Sequence, residues 1–100
     1  MECKISRVAI ETLYEVLRSL GYYPVKVDGR ASQWRRSQYH LYTYPFGKRG
    51  VRLSLHKDVL AKPAPIFAHK TEIMGKDVTR ELQRIVQKYG KLILIGESQI

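Results

Sequence analysis

Along the first twenty positions, apolar residues recur at the spacing of one buried helical stripe: Ile10, Leu13, Leu17 and Leu20, widened by Val8, Tyr14 and Val16. Ser6 stands where an N-cap hydroxyl would serve the first free amides, and Gly21 stops the run, so a helix is expected between them. Tyr22 to Asp28, YYPVKVD, is rich in strand-forming residues, with Pro24 near its start as an edge strand or a first strand position tolerates. The polar stretch that follows, DGRASQWRRS, reads as an exposed, mobile loop carrying Arg30, Trp34, Arg35 and Arg36.

Strict alternation then sets in. In a strand, Tyr39, Leu41 and Thr43 point one way, while Gln38, His40, Tyr42 and Tyr44 point the other. After a turn at Pro45 to Gly50, PFGKRG, Val51, Leu53 and Leu55 share one face, and Arg52, Ser54 and His56 share its opposite. The pattern predicts a hairpin with an apolar face under the helices and a wet face on which His40, Tyr42, Tyr44, Arg52, Ser54 and His56 gather. Lys57 to Lys70, with Pro63 and Pro65, reads as a connecting loop with room for one added strand. Asp77 can cap a second helix whose stripe is Val78, Leu82, Ile85, Val86 and Tyr89, with Gly90 as its stop. Leu92 to Ile95, LILI, has the continuous apolar character of a strand covered on both faces. The order expected is thus helix, strand, strand, strand, helix, strand: an α+β domain of two layers, with helices on one face of a mainly antiparallel sheet.

At 100 residues the chain is expected to form one domain spanning 1–100. Hydrophobic residues make up 44% and charged ones 27%, no run is long enough to span a bilayer, and no signal segment opens the chain. Cys3 is the only cysteine, which excludes an internal disulfide and multi-cysteine zinc sites and fits a reducing interior. The expectation is a cytoplasmic protein without membrane contact.

Charge changes the picture more. Lys and Arg number 18 against 9 Asp and Glu, a net charge of +9. Lys26 to Lys57 alone holds Lys26, Arg30, Arg35, Arg36, Lys48, Arg49, Arg52 and Lys57 against Asp28, which is +7 of that total. Polyanions are the natural partners of such a field. Interleaved aromatics turn the reading toward nucleic acid, RNA before DNA, with Trp34, Tyr42 and Tyr44 as stacking platforms and Arg30, Arg35, Arg36, Lys48, Arg49, Arg52 and Lys57 on phosphates. Trp34 suits a core position equally well.

Glycine-rich phosphate loops are missing, as are HExxH and GxSxG, and no cofactor or metal is implied. His40, His56 and His69 are not at metal-ligand spacing, and a hydrogen-bonded structural role is the default for each. On one wet face, however, His40 and His56 can take the 2′-hydroxyl proton of RNA and return one to the leaving oxygen, with Arg52 or Lys57 steadying the phosphorane.

Gly21-Tyr22 at the helix end, then His40-Leu41-Tyr42-Thr43-Tyr44-Pro45-Phe46-Gly47-Lys48-Arg49 and Val51 to His56, resemble the core of HicA-type messenger-RNA interferases. His69 to Val78 is similar to the segment that leads into that family's second helix. The resemblance implies a double-stranded-RNA-binding-like fold, metal-independent RNA cleavage, a toxin-antitoxin setting and an antitoxin-like protein partner. Where the family has Gly-Ser-His-His, this sequence reads Ser37-Gln38-Tyr39-His40, which sets Tyr39 in the place of the first histidine. Other readings compete. One is a DNA- or RNA-binding factor without chemistry, chromatin, viral or regulatory. Another is a basic subunit whose tyrosine-rich sheet joins a protein partner or, as a homodimer, a second copy of itself. A third is a restriction- or splicing-endonuclease-like domain, for which Tyr44, His56 and Lys91 stand in order; the magnesium-dependent version lacks carboxylates at Leu55-His56-Lys57.

Overall fold

Two-residue alternation decides which side of the sheet is covered. In the computed structural model, which describes residues 1–58 and 67–98 and the side chains of 1–58 and 76–93, β4 (Tyr39–Phe46) and β5 (Gly50–Lys57) pair antiparallel. Leu41, Val51, Leu53 and Leu55 are fully buried on one face, and each such side chain contributes about 2 kcal/mol of hydrophobic stabilisation. β3 (Ala31–Arg36) and β2 (Tyr23–Asp28) continue the antiparallel meander, and β1 (Glu2–Ile5) pairs with the far side of β5. The sheet order is β1-β5-β4-β3-β2. α1 (Ile10–Ser19) therefore carries the chain from one sheet edge to the other, and α2 (Phe67–Ser98) follows β5. Both helices join the sheet's buried side chains in one core, so the molecule is a two-layer α+β fold with an antiparallel sheet. Among the described residues, no helix is long and apolar enough to cross a membrane.

α1 buries Leu13, Tyr14, Val16 and Leu17, the predicted stripe. Its end is fixed by geometry that only a glycine accepts easily. Gly21, at φ +95, donates to the Arg18 carbonyl at 3.0 Å, and Tyr22 donates to the Leu17 carbonyl at 2.9 Å, which together occupy two of the helix's last acceptors. Its start departs from expectation. Ser6 is not the cap: the helix begins at Ile10 after Ala9, with no side-chain cap. Val8 donates instead to the Arg49 carbonyl at 2.8 Å, and Ala9 donates to the Tyr89 hydroxyl at 2.8 Å, so contacts from β5's approach and from α2 set the boundary.

Three further expectations are corrected. Ala31–Arg36 is a strand rather than a mobile loop, and Trp34 is buried at its centre, 1% exposed, where it cannot stack on a base. The polar residues beside it are satisfied internally: Trp34 Nε1 donates to Ser32 Oγ at 2.9 Å, Ser32 and Thr43 share a hydrogen bond of 2.6 Å, and Thr43 Oγ1 donates to the Arg30 carbonyl at 2.8 Å. Leu92 to Ile95 is helical rather than a strand, and so are Asp77 and Gly90, expected as cap and stop. A helix crosses a glycine for about 1 kcal/mol, a cost offset beyond Gly90 by Ile93, which packs against the core. The connecting loop keeps Lys57 in β5; residues 59–66 lie outside the described residues, and Phe67 onward is helix. The element order is accordingly strand, helix, four strands, helix.

Gly50 sits where β5 leaves the hairpin turn against β1. A Cβ there would stand 2.5 Å from the Phe46 carbonyl oxygen and 2.8 Å from that of Ile5, both backbone atoms held by the sheet. Gly50→Ala is expected to cost about 2 kcal/mol, as overpacking does, and to lower Tm on the order of 10 °C. A thermal melt followed by far-UV circular dichroism measures it.

Candidate nucleic-acid interface

No described element covers the other face of the sheet, and pairing lays out its side chains in rows. His40 faces His56, Tyr42 faces Ser54 and Tyr44 faces Arg52 across β4 and β5. On the β3 side, Arg35 faces His40 and Gln33 faces Tyr42. On the β1 side, Glu2 faces Ser54 and Lys4 faces Arg52. The grouping expected from alternation is thus present, with Gln33, Arg35, Glu2 and Lys4 added by the two strands that composition concealed.

His40, Tyr42, Tyr44 and Phe46 form one column of rings along β4. The Tyr42 and Tyr44 rings are nearly parallel, 12° apart in plane and 6.3 Å apart in centroid. Arg52 lies 4.7 Å from the Tyr44 ring centre and Lys4 4.9 Å from that of Phe46, both cation–π distances. His56 meets Tyr42 edge-on at 5.9 Å. Tyr44 and Phe46 are each 39% exposed, a large apolar surface left open to water.

At the far end of the column stands a polar cluster. His40 Nε2 and Asp58 Oδ2 are 2.6 Å apart, and Arg35 lies 3.6 Å from the same carboxylate oxygen. His56 Nε2 and Ser54 Oγ are 2.9 Å apart. Cross-strand partners have Cβ atoms about 5 Å apart, so the two imidazoles are neighbours. With its Nε2–H donated to Asp58, neutral His40 keeps Nδ1 as a free proton acceptor. Asp58 was not foreseen as a site residue, although it follows His56 by two positions and alternation alone puts it on this face. Among the described residues, no group of three or more His, Cys, Asp and Glu side chains is placed to hold a metal ion.

The basic residues singled out in the sequence do not all reach this face. Arg36 turns to the helix layer, where its guanidinium meets Glu81 Oε2 at 2.5 Å. Lys57 likewise meets Asp77 of α2 at 3.1 Å. Arg30 spans the hairpin turn, donating to the carbonyls of Gly47 at 3.2 Å and Gly50 at 2.9 Å. Lys48 and Arg49 lie in that turn, and Arg7, which the sequence did not single out, joins them to line clefts of about 410 Å3. Among the described residues, none of Arg7, Arg30, Lys48 and Arg49 has a carboxylate ion-pair partner. The positive field therefore concentrates at the hairpin's turn. At about 3.3 Å per residue, the turn at Gly47 is roughly 23 Å from His40.

Tyr39 and Lys91 stand apart from the cluster. The Tyr39 ring packs against the core on the covered side, with Arg36 5.9 Å and Lys57 5.6 Å from its centre. Lys91 is on α2, in the helix layer, away from Tyr44 and His56. His69 lies in α2, where its side chain is outside the described residues.

The covered-face ion cluster holds the platform in shape. Glu81, 7% exposed, accepts from Tyr22 Oη at 2.8 Å, from Arg36, and from Arg84 Nε at 2.9 Å. Burial pushes the Glu81 carboxyl up, but the hydrogen bonds from Tyr22 and Arg84 and the charges of Arg36 and Arg84 outweigh it and leave the pKa below its ordinary value. Burial first, then the adjacent Glu81 carboxylate, holds the Tyr22 phenol well above the ordinary tyrosine range.

No family model, curated protein or solved structure matches the chain.

Proposed function

We propose that the protein is a cytoplasmic nucleic-acid-binding domain that takes single-stranded RNA across its open sheet face and cleaves it without a metal. One observation carries this reading: a column of His40, Tyr42, Tyr44 and Phe46 on an uncovered sheet, flanked by Arg52 and Lys4 and ending in four cations that have no carboxylate partner among the described residues. Bases stack on exposed rings whatever their sequence, and phosphates seek the cations at the turn. RNA is favoured because the imidazole pair gives chemistry that only a 2′-hydroxyl can use.

His40 Nδ1 accepts the 2′-hydroxyl proton as the 2′-oxygen attacks phosphorus, and His56 in its protonated form gives a proton to the departing 5′-oxygen. The P–O5′ bond breaks, and the products are a 2′,3′-cyclic phosphate and a free 5′-hydroxyl. Arg35 and Arg52 stand on the same face to balance charge on the phosphorane. Asp58 orients His40 and holds its tautomer. The resemblance to HicA-type interferases points to RNA as the substrate and to an antitoxin-like partner, but sets Tyr39, not His40, where that family's first, catalytic histidine stands.

The test is to incubate the pure protein with labelled single-stranded RNA, with and without chelator. Chelator-resistant cleavage leaving cyclic phosphate ends supports the reading. Binding without any cleavage assigns the face to a factor without chemistry, with Tyr39, which stands in the place of the HicA-type pattern's first histidine, as the reason. Binding itself is expected to be strongly salt-dependent. If the four cations at the turn neutralise four phosphates, the single-strand slope of about −0.7 per phosphate predicts a roughly fifty-fold loss of affinity between 50 and 200 mM salt. Replacing Lys48 and Arg49 together by alanine flattens the slope by about 1.4, which fluorescence anisotropy across a salt series measures. An unchanged slope moves the phosphate path elsewhere.

A further inference from the structure

Beside the tyrosine pair, the open face has a cleft of about 230 Å3, lined by Lys26, Asp28, Ala31, Gln33, Tyr42 and Tyr44. Three strands build it. Lys26 pairs with Gln33 and Gln33 with Tyr42, so these three side chains form one row across β2, β3 and β4. Asp28 pairs with Ala31, whose methyl group leaves the floor low in the next row. The cleft has room for a planar ring system of nucleobase size.

Asp28 makes the cleft unlike the rest of the basic segment. It is the one acidic residue between Lys26 and Lys57. A carboxylate repels phosphate and accepts hydrogen bonds from ring N–H and amino groups. Asp28, Lys26 and Gln33 take part in none of the side-chain hydrogen bonds or ion pairs found among the described residues, so their polar atoms face water and are free to bind. Resting on the reading of this face as a nucleic-acid platform, we infer that the cleft is a base-reading pocket selective for guanine.

The base lies with its plane parallel to Tyr42 and Tyr44. Both rings border the cleft, nearly parallel at 12° with centroids 6.3 Å apart, and a base seated there stacks against them from the cleft side. Guanine presents O6, N1–H and the N2 amino group along one edge. Lys26 donates to O6 while Asp28 accepts from N1–H and N2–H, and the Gln33 amide can serve either kind of partner. Adenine offers an unprotonated N1 to Asp28 and would leave that carboxylate unpaired against a lone pair. Cytosine, like adenine, gives it one amino group beside an unprotonated ring nitrogen, and uracil a single ring N–H between two carbonyls. Guanine is therefore preferred over the other three bases.

The test uses eight-residue uridine oligomers carrying one central guanosine, cytidine or adenosine, bound to the full chain at 50 mM salt and followed by fluorescence anisotropy. The guanosine oligomer is expected to bind about ten-fold or more tightly than the adenosine one. Asp28→Asn and Gln33→Ala, both at exposed positions, each narrow that gap, while circular dichroism shows the fold retained. Equal, salt-sensitive affinity for all the oligomers overturns the pocket and leaves the platform standing. Binding of none of them overturns the platform, and the pocket with it.

Discussion

His40→Ala is expected to lower the rate of RNA cleavage by two to four orders of magnitude, the usual effect of removing an essential acid or base. Affinity for the same RNA should change little, because the cations at the hairpin turn lie roughly 23 Å away along β4. The separation of the two effects is the informative result. A histidine whose only role was structural would act through the fold, and its loss would weaken binding and catalysis together. Asp58→Asn offers a graded comparison: it keeps the hydrogen-bonding shape beside His40 Nε2 at 2.6 Å but removes the charge that favours the Nδ1-acceptor tautomer. Single-turnover cleavage read alongside anisotropy distinguishes these cases. If His40→Ala retains full activity, the chemistry is not at this pair.

The largest effect on stability is expected at Glu81. Breaking a buried charge cluster by removing one partner typically costs about 3 to 5 kcal/mol, since the groups left behind lose their compensation. Glu81→Ala leaves Tyr22 without its acceptor and Arg36 without its counter-charge beneath β3. The pH dependence follows from the sign of the shift. The folded-state pKa of Glu81 is depressed, so its contribution is present above the unfolded value of about 4.3 and is lost as pH falls through the lower folded value. Urea melts of wild type and Glu81→Gln should therefore differ by a constant amount from pH 5 to 8, and the difference should shrink progressively as pH falls below the unfolded value of about 4.3. A gap that persists undiminished in acid would mean that the carboxylate charge is not what stabilises the cluster.

The hairpin was legible because its alternation is clean: Leu41, Val51, Leu53 and Leu55 inward, His40, Tyr42, Arg52 and His56 outward. β3 was concealed because its inward positions include Ser32 beside Trp34, and a buried serine satisfied by Thr43 and Trp34 looks in sequence like loop polarity. β1 was concealed by its four residues, too few to show a period. α2 was cut short by treating Gly90 as a stop and LILI as a strand, when helical spacing continues from Ile85 through Tyr89 to Ile93. At the site, the imidazole pair and the tyrosines could be read from alternation alone. The true places of Arg36 and Lys57 could not, since both are decided by carboxylates on α2, and neither was Arg7, brought to Lys48 and Arg49 only when Val8 bonds the Arg49 carbonyl at 2.8 Å.

The pairing of β1 with β5 also bears on how the chain reaches this fold. Each hairpin of the meander joins neighbours in sequence, beginning four positions apart where Phe46 faces Gly50. Ile5, by contrast, must find Val51, and Glu2 must find Ser54. Local pairs close cheaply and early, whereas a contact across half the chain is made only after the loop between has been drawn in. During synthesis β1 leaves the ribosome before its partner β5 and is thus the last of the five strands to be seated. It waits with its edge unpaired until β5 has emerged, an interval in which a competing strand edge could capture it.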